Sequence, residues 1–237
     1  MKQALVTGST KGIGLAVAEA LLARGYFVYL NYARDDASAA ALQLDSQRTR
    51  ILKADLSTQA GLADLLAQLP ADADFSLDCL VLNAGLTCRT PFGQVGAEEW
   101  ETVMNANVTV PFLLVQALRE RLAPGASVIF IGSSMGIHPH AVSVAYSVTK
   151  AAVHMMAKSL VKVFADQRVR VNAVAPGFVD TEWQKDKPQW LRDKIAGKIA
   201  LNRFASPDEI ADACLFLLDN QYVNGAVLEV DGGYDFE

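Results

Sequence analysis

Tyr146 and Lys150 stand four residues apart in AYSVTK, residues 145–150, a spacing that puts two helical side chains on one face, a turn from each other. A tyrosine hydroxyl titrates near pH 10 and is a reluctant acid–base group at neutrality. A lysine ammonium within a few ångströms favours the phenolate and lowers that pKa. The pair can therefore exchange a proton with an oxygen. Both residue types are common, so the spacing gains meaning only from what else the chain brings to it.

The second candidate is a glycine loop. TGSTKGIG follows the first apolar run, with Gly8, Gly12 and Gly14 opening a helix expected to reach about Arg24 and with Ser9, Lys11 and Ile13 between them. Glycines at a strand-to-helix turn let the backbone approach a pyrophosphate, and the helix N-terminus offers free N–H groups and a positive dipole end. The spacing is G-x-x-x-G-x-G, and its place after the first strand favours a nucleotide over a bare turn. At the end of the second strand, in YLNYARDD, a ribose 2′-hydroxyl would call for an acid and a 2′-phosphate for cations. Tyr32 occupies the acid's place, Arg34 lies just beyond and Lys11 sits in the loop. NADPH is the expected cofactor; a solvated Arg34 would leave NAD as the alternative. Asp35 and Asp36 come later and read as the N-cap and first turn of the next helix.

These loops need a scaffold. Apolar runs at 3–7, 27–32, 50–53, 78–83, 127–132, 169–175 and 226–230 alternate with alanine-rich segments of helical period. Strands apolar throughout are buried on both faces, so the expected architecture is α/β: a single doubly wound Rossmann domain, residues 1–237, with a seven-stranded parallel sheet and helices on both faces. The 237 residues, 51% hydrophobic, suffice for such a core. Residues 182–204, with two Trp, one Pro and many charges, suit a substrate lid over the site.

A net charge of −5 with scattered Lys and Arg excludes nucleic acid and anionic membrane as expected partners. Cys79, Cys88 and Cys214 are widely spaced and suggest neither zinc nor a disulfide frame, so no metal is expected. The short apolar run from Gln3 leaves no space for a signal peptide, and no run approaches a membrane span. A cytoplasmic location is expected.

Over essentially its whole length the chain resembles the short-chain dehydrogenase/reductase family. TGSTKGIG is similar to the family's TGxxxGxG, ADLS to its adenine-side Asp motif, LNAG to NNAG, NANV to its helix-four Asn, IGSS to its catalytic Ser, YSVTK to YxxxK, and VNAVAPGFVDT to N-x-x-x-PG-x-x-x-T. The resemblance implies Tyr146 as general acid, Lys150 as its tuner and a ribose ligand, and Ser133 as a second donor to the substrate oxygen. Members of the family that this chain resembles place the serine thirteen residues before the tyrosine and three before a glycine, which Ser133 satisfies with Tyr146 and Gly136, so the resemblance implies Ser133 rather than Ser134. Asn107, preferred to Asn105, is implied to hold a water beside Lys150. Asp55 and Leu56, then Asn83, Ala84 and Gly85, and finally Pro176, Gly177, Val179 and Thr181 are implied cofactor contacts. Leu82 departs from the pattern at the first Asn of NNAG.

The expected activity is reduction of a carbonyl by NADPH, closest in appearance to 3-oxoacyl-[acyl-carrier-protein] reductases. Such a carrier could be met by Arg119, Arg121, Arg168 and Arg170. The enzyme alternative is an NAD(P)-dependent dehydrogenase of a small alcohol, sugar or steroid-like substrate; the alternative of another class is a non-catalytic NADP(H)-sensing protein. A homotetramer is implied by resemblance. His138 and His140, just after Ser133, could line the pocket wall.

Overall fold

The computed structural model describes residues 1–138 and 143–234. Among these, seven strands form one parallel sheet: β1 (Gln3–Val6), β2 (Phe27–Tyr32), β3 (Thr49–Lys53), β4 (Leu77–Leu82), β5 (Leu122–Ile131), β6 (Arg170–Pro176) and β7 (Val227–Val230). Their order is β3-β2-β1-β4-β5-β6-β7. The doubly wound sheet read from the apolar runs is the observed one. Its main departure is β5, which starts five residues earlier than its apolar run because Leu122 pairs with Leu77 before the register shifts between Leu77 and Cys79.

The helices are α1 (Gly12–Ala23), α2 (Asp36–Ala40), α3 (Gln59–Gln68), α4 (Ala97–Met104), α5 (Val110–Ala117), α6 (Val144–Leu160), α7 (Glu182–Lys185), α8 (Gln189–Ala196) and α9 (Pro207–Asp219). Alternate strand residues fill two cores. Leu5, Leu80, Val128 and Phe130 pack with α3, α5 and α6, whereas Ala4, Val6, Val81 and Ile129 pack with α1 and α9. A strand with both faces covered has no polar side to show, which is why the sequence reads as continuous apolar runs. Leu82 belongs to the first core, 5% exposed, where an apolar side chain packs and an amide would need partners.

Caps set several of the boundaries. The Asp35 carboxylate accepts from the Ser38 N–H at 3.0 Å and starts α2, and Ser206 with Glu209 forms a capping box at α9. Arg170 ends α9 from outside the helix: its guanidinium, buried, donates to the Leu217, Leu218 and Asn220 carbonyls. That spends the side chain internally and removes Arg170 from any carrier surface. Arg121 likewise turns inward, donating to the Pro70 carbonyl with its guanidinium 4.4 Å over the Phe75 ring. Cys79, Cys88 and Cys214 are buried and unpaired. No helix among the described residues is long and apolar enough to cross a membrane.

Candidate active site

The strand order reverses between β1 and β4, so the loops after these two strands part and leave a crevice at the sheet's carboxyl edge. A groove of about 570 Å³ lies there, large enough for a dinucleotide-sized ligand. Thr7 and Asn83 stitch its floor. The Asn83 and Ala84 N–H groups both donate to Thr7 Oγ1 at 2.9 Å, and Asn83 Nδ2 donates to the Thr7 and Gly8 carbonyls at 3.0 and 2.8 Å.

Gly8 has φ +60, and a Cβ there would stand 2.9 Å from Ala84 Cα. Only glycine lets the two loops close this tightly. Beyond it, α1 begins without a side-chain cap and without an acid in its first turn, so its N–H groups and positive end are left for an anionic ligand. The cradle fits a nucleotide pyrophosphate. Gly8, Lys11, Gly12 and Ile13 line it.

Two loop residues have other tasks. Ser9 is fully buried, its hydroxyl donating to the Val6 carbonyl at 2.7 Å and its N–H to the Asn31 carbonyl at 2.8 Å. Gly14 faces the loop from behind, where a Cβ would meet the Gly8 carbonyl oxygen at 2.4 Å. Both shape the cradle from within the protein.

At the far end of the groove stand Tyr32, Arg34, Asp55 and Leu56. Arg34 donates to Asp55 at 2.7 and 3.0 Å, Lys11 to Asp35 at 2.8 Å, and the Tyr32 hydroxyl to Asp36 at 2.8 Å. The carboxylates at this end are thus engaged by cations or a phenol. Asp55 is held below the usual carboxylate range by hydrogen bonds from Ser57 and Arg34 that outweigh its burial.

The near end carries the reactive side chains. On α6, Tyr146 and Lys150 share the buried face, and both line the groove with Ser133. Lys150 Nζ lies 5.5 Å from the Tyr146 ring centre and donates to the Ile131 carbonyl at 2.7 Å. Burial pushes Tyr146 up to about 12, opposed by a hydrogen bond with Ser133, and burial pulls Lys150 down to about 8. The expected lowering of the tyrosine by the lysine is not what dominates here: desolvation is. Ser134 opens the short 3₁₀ turn Ser134–Gly136 behind the groove.

Asn107 sits within a π-helical widening, Asn105–Thr109, between α4 and α5. Its side chain does not line the groove: Oδ1 accepts from the Leu86 N–H at 2.8 Å, and Nδ2 donates to the Leu86 carbonyl and to Thr149 Oγ1. This ties the loop after β4 to α6.

Pro176, Gly177, Val179 and Thr181 close the groove from β6, as do Ala84 and Gly85 from β4. In the 182–204 segment, Trp183 of α7 meets Tyr146 edge to face at 6.4 Å, and its carbonyl accepts from Arg89 at 2.9 Å. His138 turns instead to Glu229, 2.8 Å away on β7, and does not line the groove; His140 lies outside the described residues.

Asn31 and Trp183 are site residues that lie in none of the motifs. Asn31 gave a signal, being an amide inside an apolar strand: 2% exposed, it accepts from the Gly8 N–H at 3.3 Å and donates to the Ala54 carbonyl at 3.0 Å.

Comparison with known proteins gives the family and the fold. Residues 8–235 match the family described as enoyl-(acyl carrier protein) reductase. The chain is 36% identical to an uncharacterized oxidoreductase, YmfI, of Bacillus subtilis, covering 98% of each chain. It is 33% identical to the 3-oxoacyl-[acyl-carrier-protein] reductase FabG of Aquifex aeolicus, over 98% of this chain and 96% of that one. Among solved structures it is similar to the angucycline C-6 ketoreductase LanV with bound NADP: TM-score 0.91, 29% identity, with 98% of this chain and 95% of that chain covered.

Proposed function

We propose that this chain, which belongs to the short-chain dehydrogenase/reductase family, is an NADPH-dependent carbonyl reductase of the 3-oxoacyl-[acyl-carrier-protein] reductase type. Its class, an oxidoreductase acting on CH–OH and C=O groups, follows from the family. The observation that carries the finer reading is the convergence of Ser133, Tyr146 and Lys150 at one end of a groove that a glycine cradle also lines.

Bound in that groove, a nicotinamide dinucleotide supplies the hydride. The protein's part is to hold a carbonyl and move a proton. Tyr146, whose pKa burial raises, gives its proton to the carbonyl oxygen, while the Ser133 hydroxyl donates to the same oxygen and fixes its place. Lys150 spends one of its three N–H donors on Ile131 and has two more for the tyrosinate side and a ribose. Proton return past Lys150, by a water that Asn107 helps to hold beside it, belongs to the same reading.

NADPH is favoured by the lack of an acid at Tyr32 and by Arg34 and Lys11, whose ion pairs are exposed and weak enough to yield to a phosphate. A 3-oxoacyl thioester is favoured by the likeness to FabG, and Arg119 and Arg168, both exposed, remain for an acidic carrier. Assembly as a homotetramer belongs to the same reading; exposed Phe112 on α5 and Val148 and Met155 on α6 are side chains that association would cover, and light scattering tests it.

The test is a substrate panel, acetoacetyl thioesters, diketones and small alcohols, with both cofactors. Thioester reduction faster with NADPH than NADH is expected. Tight NADPH binding with no turnover of any carbonyl would instead identify a sensor.

A further inference from the structure

His154 lies beneath the site and has no part in the chemistry above. It stands on α6 eight residues after Tyr146 and four after Lys150, on the same face, and is 5% exposed. Its Nε2 faces the Ser133 backbone N–H at 3.4 Å, and the ring also hydrogen-bonds to the backbone of Gly136.

Two glycines make room for the ring. A Cβ at Gly132 would stand 2.0 Å from Nε2, and one at Gly136 would stand 2.8 Å from Cε1. Residues 132–136 are therefore seated directly on the imidazole. The turn is further tied by the Gly132 N–H donating to Val174 at 2.7 Å and the Met135 N–H donating to Ser133 Oγ at 3.2 Å.

A neutral imidazole has one donor and one acceptor. The Ser133 N–H needs an acceptor and the Gly136 carbonyl needs a donor, so the neutral ring satisfies both. Burial, and then the charge of Lys150, keep it neutral down to about 4.

We propose that His154 is a positioning residue for the reductive step, holding the 132–136 turn from below so that the Ser133 hydroxyl meets the substrate oxygen in line with Tyr146. The proposal rests on the reductase reading above. It follows from the sensitivity of catalysis to placement: an error of about 1 Å in a positioning group can cost a hundredfold in rate.

The test compares His154→Leu, of similar bulk with neither hydrogen bond, and His154→Gln, whose amide can still accept from Ser133. Expected for the Leu variant is a fall in kcat of about 10- to 100-fold, with KM and NADPH Kd changed less than about threefold and with lost hydrogen-exchange protection over 132–136. The Gln variant should recover a large part of kcat and of the protection. A folded Leu variant with wild-type kcat, or Leu and Gln variants equally impaired, overturns the proposal.

Should the Leu variant not fold, the wild-type ring decides: nitrogen NMR must show a neutral tautomer with Nε2 unprotonated, and a protonated Nε2 overturns the seat. If the wild type reduces no carbonyl, the reductase reading fails on its own, while exchange and tautomer still judge the seat.

Discussion

The Lys150 ammonium lies 5.5 Å from the centre of the Tyr146 ring, and burial drives both side chains toward their neutral forms. Tyr146 rises to about 12, so the proton donor is loaded across the working range. Lys150 falls to about 8 and loses its proton first as pH rises. A tyrosinate left by proton transfer is stabilised only while Lys150 is charged. Reduction should therefore hold below pH 8 and decline as pH rises through it, read as kcat/KM against pH. Lys150→Arg, permanently charged, should be slower overall but lose that limb. A wild-type profile flat to pH 10 contradicts the assignment.

Arg34 and Asp55 form an exposed pair at the far end of the groove, and such pairs contribute about 1 kcal/mol or less. The guanidinium is thus free to exchange Asp55 for a 2′-phosphate. Arg34→Ala should weaken NADPH by about tenfold, the loss of one charge-assisted contact, and NADH by less than about twofold. Isothermal titration with both cofactors checks it; equal losses refute the phosphate contact.

Much of this was legible in the sequence, because periodicity reports burial. β2 has the bounds of its apolar run, and the reactive residues fall on strand ends and one helix face that the pattern locates. The apolar pattern omits the start of β5 because ERLAPGAS carries no apolar run, and its early residues are strand only through pairing with Leu77. Ser9 and Gly14 show what spacing leaves out: it identifies the loop, while the neighbours that bury Ser9 and stand behind Gly14 appear only in the fold. His154 has no local signal; Gly132 and Gly136, which make its seat, precede it by 22 and 18 residues.

Leu82 tests whether the departure from NNAG is a packing choice. Leu82→Asn would put an amide into the apolar core among α3, α5 and α6. It should cost about 3 kcal/mol, lost apolar burial together with an unsatisfied polar group, without raising kcat. Thermal unfolding and initial rates check this; a stable variant with higher turnover would show that the motif's usual amide is missed.

Gly14→Ala probes the cradle from behind. Its Cβ would meet the Gly8 carbonyl oxygen at 2.4 Å and Asn83 Nδ2 at 2.6 Å. The loop must shift, at about 1–3 kcal/mol for overpacking, and NADPH affinity should fall with stability. Unchanged Kd and Tm would mean that the two loops are not held together here.

Tyr146 as the group that protonates a carbonyl oxygen must show itself in turnover. Initial rates of NADPH oxidation by acetoacetyl thioester, measured for wild type and Tyr146→Phe, test it most directly when paired with NADPH Kd. Tyr146→Phe should lose about 10²–10⁴-fold in turnover, the usual worth of a positioned general acid, with Kd little changed. Equal turnover in the two proteins would contradict it.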